Sequence, residues 1–385
     1  MRVLVLNAGS SSLKFALYQA SGDTPTVRVR GAVSDIGRTP RFSARSSDGT
    51  AWPEIALAVD SGQDAALDWL LDHLAQAGHG FDAVGHRVVH GGLRLAAPVR
   101  ADAQVLAELE QLVPLAPLHQ PHNLAAIREI ARRHPDLPQV ACFDTAFHRS
   151  HSEVEQRYAL PDALHQQGIR RYGFHGLSYQ YIAAVLPEVD ERAAAGKTVV
   201  LHLGNGASLC ALEAGVSVAS SMGFSALDGI PMATRCGQVD PGVLLHLMAA
   251  RGMDGAALEE LLYRRSGLLG ISGVSGDMRV LLASDAPGAR AAIEHFVHRI
   301  VREIGALATT LGGLDALVFT GGIGEHAAPV RAAVVERLGW LGARLDAPAN
   351  AANAARISRL DSPIAALVIP TDEEQVIARQ TLALL

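Results

Sequence analysis

Arg87, Asp144, His175 and Arg235 combine side-chain type and setting in a way that suits chemistry on an anionic group. Arg87 lies in Gly85-His86-Arg87-Val88-Val89-His90-Gly91-Gly92. Its guanidinium can grip a carboxylate or a phosphate through two parallel N–H bonds, while Val88 and Val89 offer an apolar surface suited to a short alkyl group. His86 and His90 have a spacing that a metal could use. With no carboxylate or cysteine ligand beside them, a structural role is the better reading. Asp144 leaves the C-terminal end of the apolar run Gln139–Phe143, where an acid either faces a ligand or caps the turn that follows. His175 sits between glycines in Arg170-Arg171-Tyr172-Gly173-Phe174-His175-Gly176-Leu177-Ser178, a setting suited to stabilising a transferring phosphoryl group. Arg235 stands in a small-residue loop from which a guanidinium can reach a phosphate.

Phosphate-cradling turns surround these residues. Val3–Leu6, then Asn7-Ala8-Gly9-Ser10-Ser11-Ser12, then Leu13–Tyr18 reads as strand, tight polar turn, strand. Gly9 permits close backbone approach, the hydroxyls of Ser10 and Ser12 donate, and Asn7 is placed to hold a metal or its water. Lys14 adds a positive charge just past the turn, and it is one of only two lysines in a chain rich in arginine. An ordinary serine-tipped hairpin is the alternative. The same plan returns at Val200 to Leu212, around Gly204-Asn205-Gly206, and setting Ser208-Leu209 on Ser12-Leu13 aligns the two turns without a gap. Such a repeat points to a duplicated domain whose two turns face one cleft and grip a polyphosphate from opposite sides.

A third small-residue turn, Gly321-Gly322-Ile323-Gly324-Glu325, follows the strand-like run Ala316–Thr320. The loop Gly273 to Arg279 ends in Asp277 and Arg279, fit to contact a ribose and a nucleobase. Asp372-Glu373-Glu374, at the mouth of the run Leu367–Ile369, supplies acids that beside a phosphate imply Mg²⁺. Gly196-Lys197-Thr198 imitates the tail of a phosphate-binding P-loop, but Glu191 stands where the first glycine is required and a strand follows instead of a helix.

Strands and helices must position these groups. Helical spacing covers 63–78 through Leu67, Leu70, Leu71 and Leu74, and then about 124–134, 179–185, 242–270 and 289–311, with a terminal helix after the last acids. In 242–270 the pattern puts Leu244, Leu245, Leu247 and Met248 on a buried side. A chain of 385 residues suits two domains, and 49% hydrophobic against 19% charged residues supplies sizeable cores. The net charge of −6 gives no electrostatic reason to expect nucleic acid or an anionic membrane as partner, and no apolar run reaches bilayer length. Cys142, Cys210 and Cys236 lack Cys-x-x-Cys spacing and read as free thiols, in keeping with a cytoplasmic protein.

Taken together, Asn7 to Lys14, Gly85 to Gly92, Phe143 to His148, Arg171 to Ser178, His202 to Ser208, Met232 to Gly237, Ser272 to Arg279, Phe319 to Glu325 and Pro370 to Glu374 resemble the acetokinase family, in family order and over essentially the whole chain. The resemblance implies an α/β, duplicated actin-like (ribonuclease H-like) ATPase fold with two domains around a nucleotide-binding cleft. Residues 1–147 would form the first domain, with a C-terminal helix 375–385 packing on it, and 148–374 the second. It implies a homodimer that makes acetyl phosphate from acetate and ATP, releasing ADP, with Mg²⁺ (or Mn²⁺). On matching positions it implies Asn7 and Glu373 near the metal and Lys14 with the Ser10/Ser12 turn at ATP. It places Arg87 at the acid, Asp144 as the essential acid, and His175 and Arg235 as transition-state stabilisers. ATP contacts would come from His202, Leu203, Gly204, Asn205 and Gly206, from Asp277, Met278 and Arg279, and from Gly322, Ile323, Gly324, Glu325 and His326.

The chain departs from the family pattern at Gln120, Leu177-Ser178-Tyr179, His326 and Asp372, and carries Ala226 and Asp228 where the family has proline and glutamate. Ala226 would line the acyl pocket with Val89, Leu118 and Phe174, which leaves propionate or butyrate as competing acids. A non-catalytic actin-like nucleotide switch is the reading from another class, and the cluster of Arg87, Asp144, His175 and Arg235 argues against it.

Overall fold

The computed structural model describes residues 1–9, 11–20, 24–58 and 62–385. The chain divides into two compact units, Met1–Phe147 with Asp372–Leu385, and His148–Thr371. Among the described residues no helix is long and apolar enough to cross a membrane.

The first unit is built on one sheet of β1 (Arg2–Ala8), β2 (Leu13–Gln19), β3 (Thr26–Ser34), β4 (Arg41–Ser46), β5 (Ile55–Ala56), β6 (Ala83–Val88), β7 (Val99–Arg100) and β8 (Gln139–Phe143). Their order is β5-β4-β3-β2-β1-β6-β8-β7. β1, β2 and β3 form an antiparallel meander, whereas β1, β6 and β8 run parallel. Every residue of β8 is buried, as a parallel strand covered on both faces requires. On one face Leu4 and Leu6 meet Phe15, Phe42 and the leucines of helix Gln63–Gln76, together with Ala126 and Ile130 of helix Gln120–Arg133. The other face carries the C-terminal helix Glu373–Leu382, which buries Val376, Ile377 and Ala378. Gly85 of β6 makes that approach possible, since a Cβ there would lie 2.7 Å from Ile377 Cγ2.

The second unit repeats the plan. β9 (Lys197–Leu203), β10 (Ala207–Glu213) and β11 (Val216–Ser220) form a meander, and β12 (Ala316–Thr320) and β13 (Ala365–Val368) extend it in parallel, giving the order β11-β10-β9-β12-β13. This reproduces β3-β2-β1-β6-β8 strand for strand. The fold is the duplicated α/β plan that the resemblance implies. The ungapped match of the two turns is corrected by the register: Ala8 pairs with Leu13, whereas Leu203 pairs with Ala207, so the two hairpins do not close at the positions that match.

Most helical spacings become helices with shifted ends. Helix Gln120–Arg133 starts earlier than the pattern because Pro121 fits a first turn, where its missing N–H costs nothing. One expectation fails. Helix Pro241–Arg251 buries no residue, and Leu245 is 67% exposed with Val243 and Met248 near half. Leucines at helical spacing mark an apolar face but not what covers it.

Candidate active site

The parallel strands β1, β6 and β8 end side by side, and that alignment assembles the first cluster. Asn7 is the last residue but one of β1, Arg87 lies in β6 opposite Cys142, and Asp144 follows β8, its N–H donating to Val88 O at 3.1 Å. Arg87 meets Asp144 fork to fork, Nε to Oδ1 at 3.0 Å and Nη2 to Oδ2 at 2.5 Å, while its Nη1 donates to Asn7 Oδ1 at 3.2 Å. Asp144 is 1% exposed, so this is a buried carboxylate held by a largely buried guanidinium. Burial opposes the charge on Arg87. The fields of Asp144 and Glu373 outweigh it and hold the guanidinium pKa above its ordinary value.

Glu373 enters from the first turn of the C-terminal helix. Burial pushes its pKa up to about 7, with Arg87 pulling it down and Asp144 and Glu374 pushing it further up. Lys14, paired in register with Asn7 across the β1–β2 hairpin, also lowers it. Among the described residues no group of three or more His, Cys, Asp or Glu side chains forms a metal cluster. The fit for a metal lies in the donor chemistry: the amide oxygen of Asn7 and the crowded carboxylates of Glu373 and Glu374 are hard oxygen donors, and a divalent cation with its waters would relieve their repulsion. Asp372 itself is not a free donor. It caps the C-terminal helix through Gln375 N–H at 3.0 Å and accepts from Tyr18 Oη at 2.9 Å and Arg30 Nη2 at 2.8 Å.

The apolar edge of this cluster is set by groups that sequence patterns overlooked. Asn123 Oδ1 accepts from Val89 N–H at 3.1 Å and its Nδ2 donates to Ala8 O at 2.7 Å. Gln120, fully buried, bonds both the N–H and the C=O of His90. Two amides one turn apart on a buried helix face thus clamp the β6 exit to β1 and hold Val89, while Leu118 lies half-buried just before that helix. Buried polar residues at i and i+3 among apolar ones were the legible signal. His86 pairs with Gln139 Oε1 at 2.7 Å, and burial depresses its pKa to about 4. His90 Nδ1 accepts from Gly92 N–H at 2.8 Å, so both histidines are structural. Of the first turn, Gly9 N–H donates to Ser12 O at 2.8 Å, Lys14 is exposed, and Ser10 lies outside the described residues.

In the second unit β9, β12 and β13 again end together. His175 occupies the left-handed region with φ 56°, immediately before helix Gly176–Val189, and its ring stacks on that of His202 at 4.4 Å. Its Nδ1 lies 2.8 Å from Ser208 Oγ. Gly206, in the turn between β9 and β10, is the tightest point: a Cβ there would stand 3.2 Å from His175 Nε2 and 3.7 Å from Arg235 Nη1. His175, Arg235 and the Gly204–Gly206 turn therefore converge. Arg235 is half-buried and donates through Nη1 to Ala226 O at 3.3 Å. Asp228 instead pairs with Arg171 at 3.0 Å. Behind them Phe174 is buried, its carbonyl 2.9 Å from His148 Nε2.

The remaining nucleotide candidates divide. Gly321, with φ 74°, turns β12 into helix Gly321–His326, and Gly322 and His326 stay exposed. Glu325 faces inward, its Oε1 accepting from Gly321 N–H at 2.9 Å and Thr371 N–H at 3.3 Å, so it ties the ends of β12 and β13. Arg331, fully buried, donates to the carbonyls of Gly324 and Glu325 and anchors the far end of that short helix. Asp277 caps helix Met278–Leu282 and holds the exposed Arg279, with Met278 buried beneath. Lys197 Nζ donates to Gly312 O at 3.2 Å, remote in role from any P-loop.

The first unit thus gathers oxygen donors and a guanidinium, and the second, by itself, gathers a glycine turn, a histidine and a guanidinium, side chains whose chemistry suits anionic ligands. The chain matches the model of the acetokinase family over residues 2–379. It is 53% identical to the acetate kinase of Rhodopseudomonas palustris (strain ATCC BAA-98 / CGA009), covering 98% of this chain and 96% of that one. Among solved structures it resembles a propionate kinase from Francisella tularensis, with TM-score 0.92 and 35% identity over 100% of both chains. It also resembles the acetate kinase of Porphyromonas gingivalis, with TM-score 0.87 and 36% identity over 99% of each.

Proposed function

The chain belongs to the acetokinase family, and from that premise we propose how it transfers the γ-phosphoryl group of ATP to acetate, giving acetyl phosphate and ADP. The observation that carries the reading is the convergence of Arg235, His175 Nε2 and the Gly206 backbone in the second unit, three donors suited to equatorial phosphoryl oxygens. Transfer to a carboxylate demands positioning and charge neutralisation rather than a covalent nucleophile. Acetate is already ionised at neutral pH, so Asp144 has no proton to remove. Its two oxygens orient Arg87 instead, and Arg87 presents its remaining N–H bonds to the incoming carboxylate beside Val89. Leu118 is assigned to the same acyl surface, and Phe174 is assigned to the acid by the family resemblance.

Mg²⁺ belongs to the proposal, with Asn7 and Glu373 as the groups that would hold it, directly or through water. When bound it would neutralise charge on the β- and γ-phosphates. Lys14, the Ser12 turn, residues 202–206, 277–279 and 322–326 are assigned to ATP, Glu325 through its hold on Gly321 rather than by its own carboxylate. A homodimer and a cytoplasmic location are also proposed, the exposed apolar row of helix Pro241–Arg251 being a surface that a second copy would cover.

The test is direct. Purified protein with ATP, Mg²⁺ and acetate should form an acyl phosphate trapped as hydroxamate by hydroxylamine, and no hydroxamate would overturn the reading. Ala226, small where the family has proline, favours trying propionate alongside. One added methylene is worth about 1–3 kcal/mol in an apolar pocket, so kcat/KM across acid lengths decides the preferred acid.

A further inference from the structure

Ser208 is fully buried on β10, and its hydroxyl stands between two rings: Tyr179 Oη lies 2.5 Å from Ser208 Oγ, and His175 Nδ1 lies 2.8 Å from it on another side. A phenol is more acidic than an aliphatic alcohol and the better donor of the two. Tyr179 therefore donates to Ser208 Oγ, and the serine hydrogen turns to His175 Nδ1. With Nδ1 accepting, neutral His175 carries its hydrogen on Nε2. Nε2 is the nitrogen on the side of Gly206 and Arg235.

Two further observations say the ring is held on purpose. The backbone of His175 sits at φ 56°, a strained region for a residue with a Cβ, and so needs support from its surroundings. Tyr179 stands one turn along the helix that His175 starts, its ring edge-on to His148 at 5.6 Å, and that same His148 holds the carbonyl of Phe174.

We propose that Tyr179 and Ser208 are positioning residues for phosphoryl transfer, fixing the tautomer and orientation of His175 so that its Nε2–H is a standing donor toward the transferring group. This rests on the reading of His175 as a group that touches the phosphoryl.

The experiment uses the full-length protein with Mg²⁺-ATP and acetate, comparing wild type with Tyr179→Phe, Ser208→Ala, His175→Gln and the Tyr179→Phe/His175→Gln pair. Imidazole ¹⁵N shifts at pH 8 report the tautomer of His175, the signal being assigned by its loss in His175→Gln. The wild type should show the Nε2–H form, and Tyr179→Phe and Ser208→Ala should lose that preference. Their kcat should fall about tenfold while KM for ATP and for acetate stays within about twofold. In the His175→Gln background Tyr179→Phe should add no further loss. Wild-type kcat with an unchanged ¹⁵N pattern in both folded variants, or an equal loss in both backgrounds, would overturn the relay. A fully active His175→Gln would instead remove the underlying reading of His175, an outcome distinct from the first two.

Discussion

Arg87 and Arg235 are the same side chain in different settings, and that difference separates their predicted phenotypes. Arg87 neutralises a carboxylate that is 1% exposed. Arg87→Ala should therefore lower kcat/KM by about a hundredfold or more and also destabilise the protein by about 3 kcal/mol, because removing one partner strands a buried charge. Arg235 donates through Nη1 to the carbonyl of Ala226 and lies against Met232 Sδ. Arg235→Ala should cost a comparable factor in kcat/KM while lowering the unfolding free energy less than Arg87→Ala does, since its hydrogen bond to the Ala226 carbonyl is to a neutral group and worth about 1 kcal/mol. Steady-state kinetics and urea unfolding on the same preparations check both. Equal stability losses would mean that the charge on Asp144 has another partner in solution. The residue types at these positions were legible in the sequence, since a guanidinium between glycines has few uses. That Asp144 spends both oxygens on Arg87 was not, because 57 residues separate them and only the parallel pairing of β6 with β8 brings them together.

Among the elements, the C-terminal helix Glu373–Leu382 does the most for its length. Its cap residue Asp372 receives Gln375 N–H, Tyr18 Oη and Arg30 Nη2, so the first turn that carries Glu373 is fixed at three points. Asp372→Ala should remove about 1 kcal/mol of cap energy and raise the Mg²⁺ concentration needed for half-maximal activity several-fold, with kcat at saturating Mg²⁺ largely retained. An unchanged Mg²⁺ requirement would detach the helix start from the metal. Helix Pro241–Arg251 makes the opposite point. Its amphipathic spacing is legible, but an apolar stripe is silent about whether core or partner covers it, and Leu245 is 67% exposed in the single chain. Sedimentation velocity on Leu245→Asp should show the assembled species shifting to monomer. A wild type that sediments as a monomer would sink the dimer proposal.

At the scale of the whole molecule, buried histidines couple folding to acidity. Burial depresses His86 and His148 to about 4 and His151 to about 3, from an ordinary value of 6.5. Between pH 6.5 and 4 the unfolded chain binds protons that the folded one refuses, so these groups withdraw stability as pH falls through that window. His86→Gln keeps a donor for Gln139 but cannot charge. Between pH 7.5 and 5.0 it should lose about 2 kcal/mol less than the wild type, read from the fluorescence of Trp52 and Trp69 in the first unit. Equal losses would mean that His86 is reached by water and protonates in place. The amino-acid sequence by itself determined the duplicated plan: two apolar hairpins with small-residue bends, and apolar runs ending in Asp144, Thr320 and Thr371. These are local patterns, because strand period, turn residues and buried runs are written in neighbouring positions. Only the tertiary structure decided which groups are partners. The fork of Arg87 on Asp144, the clamp of Gln120 and Asn123 on the β6 exit, and the contact of Tyr179 with Ser208 all depend on strand order and register. Those follow from packing summed over whole sheets, which no short stretch of chain encodes.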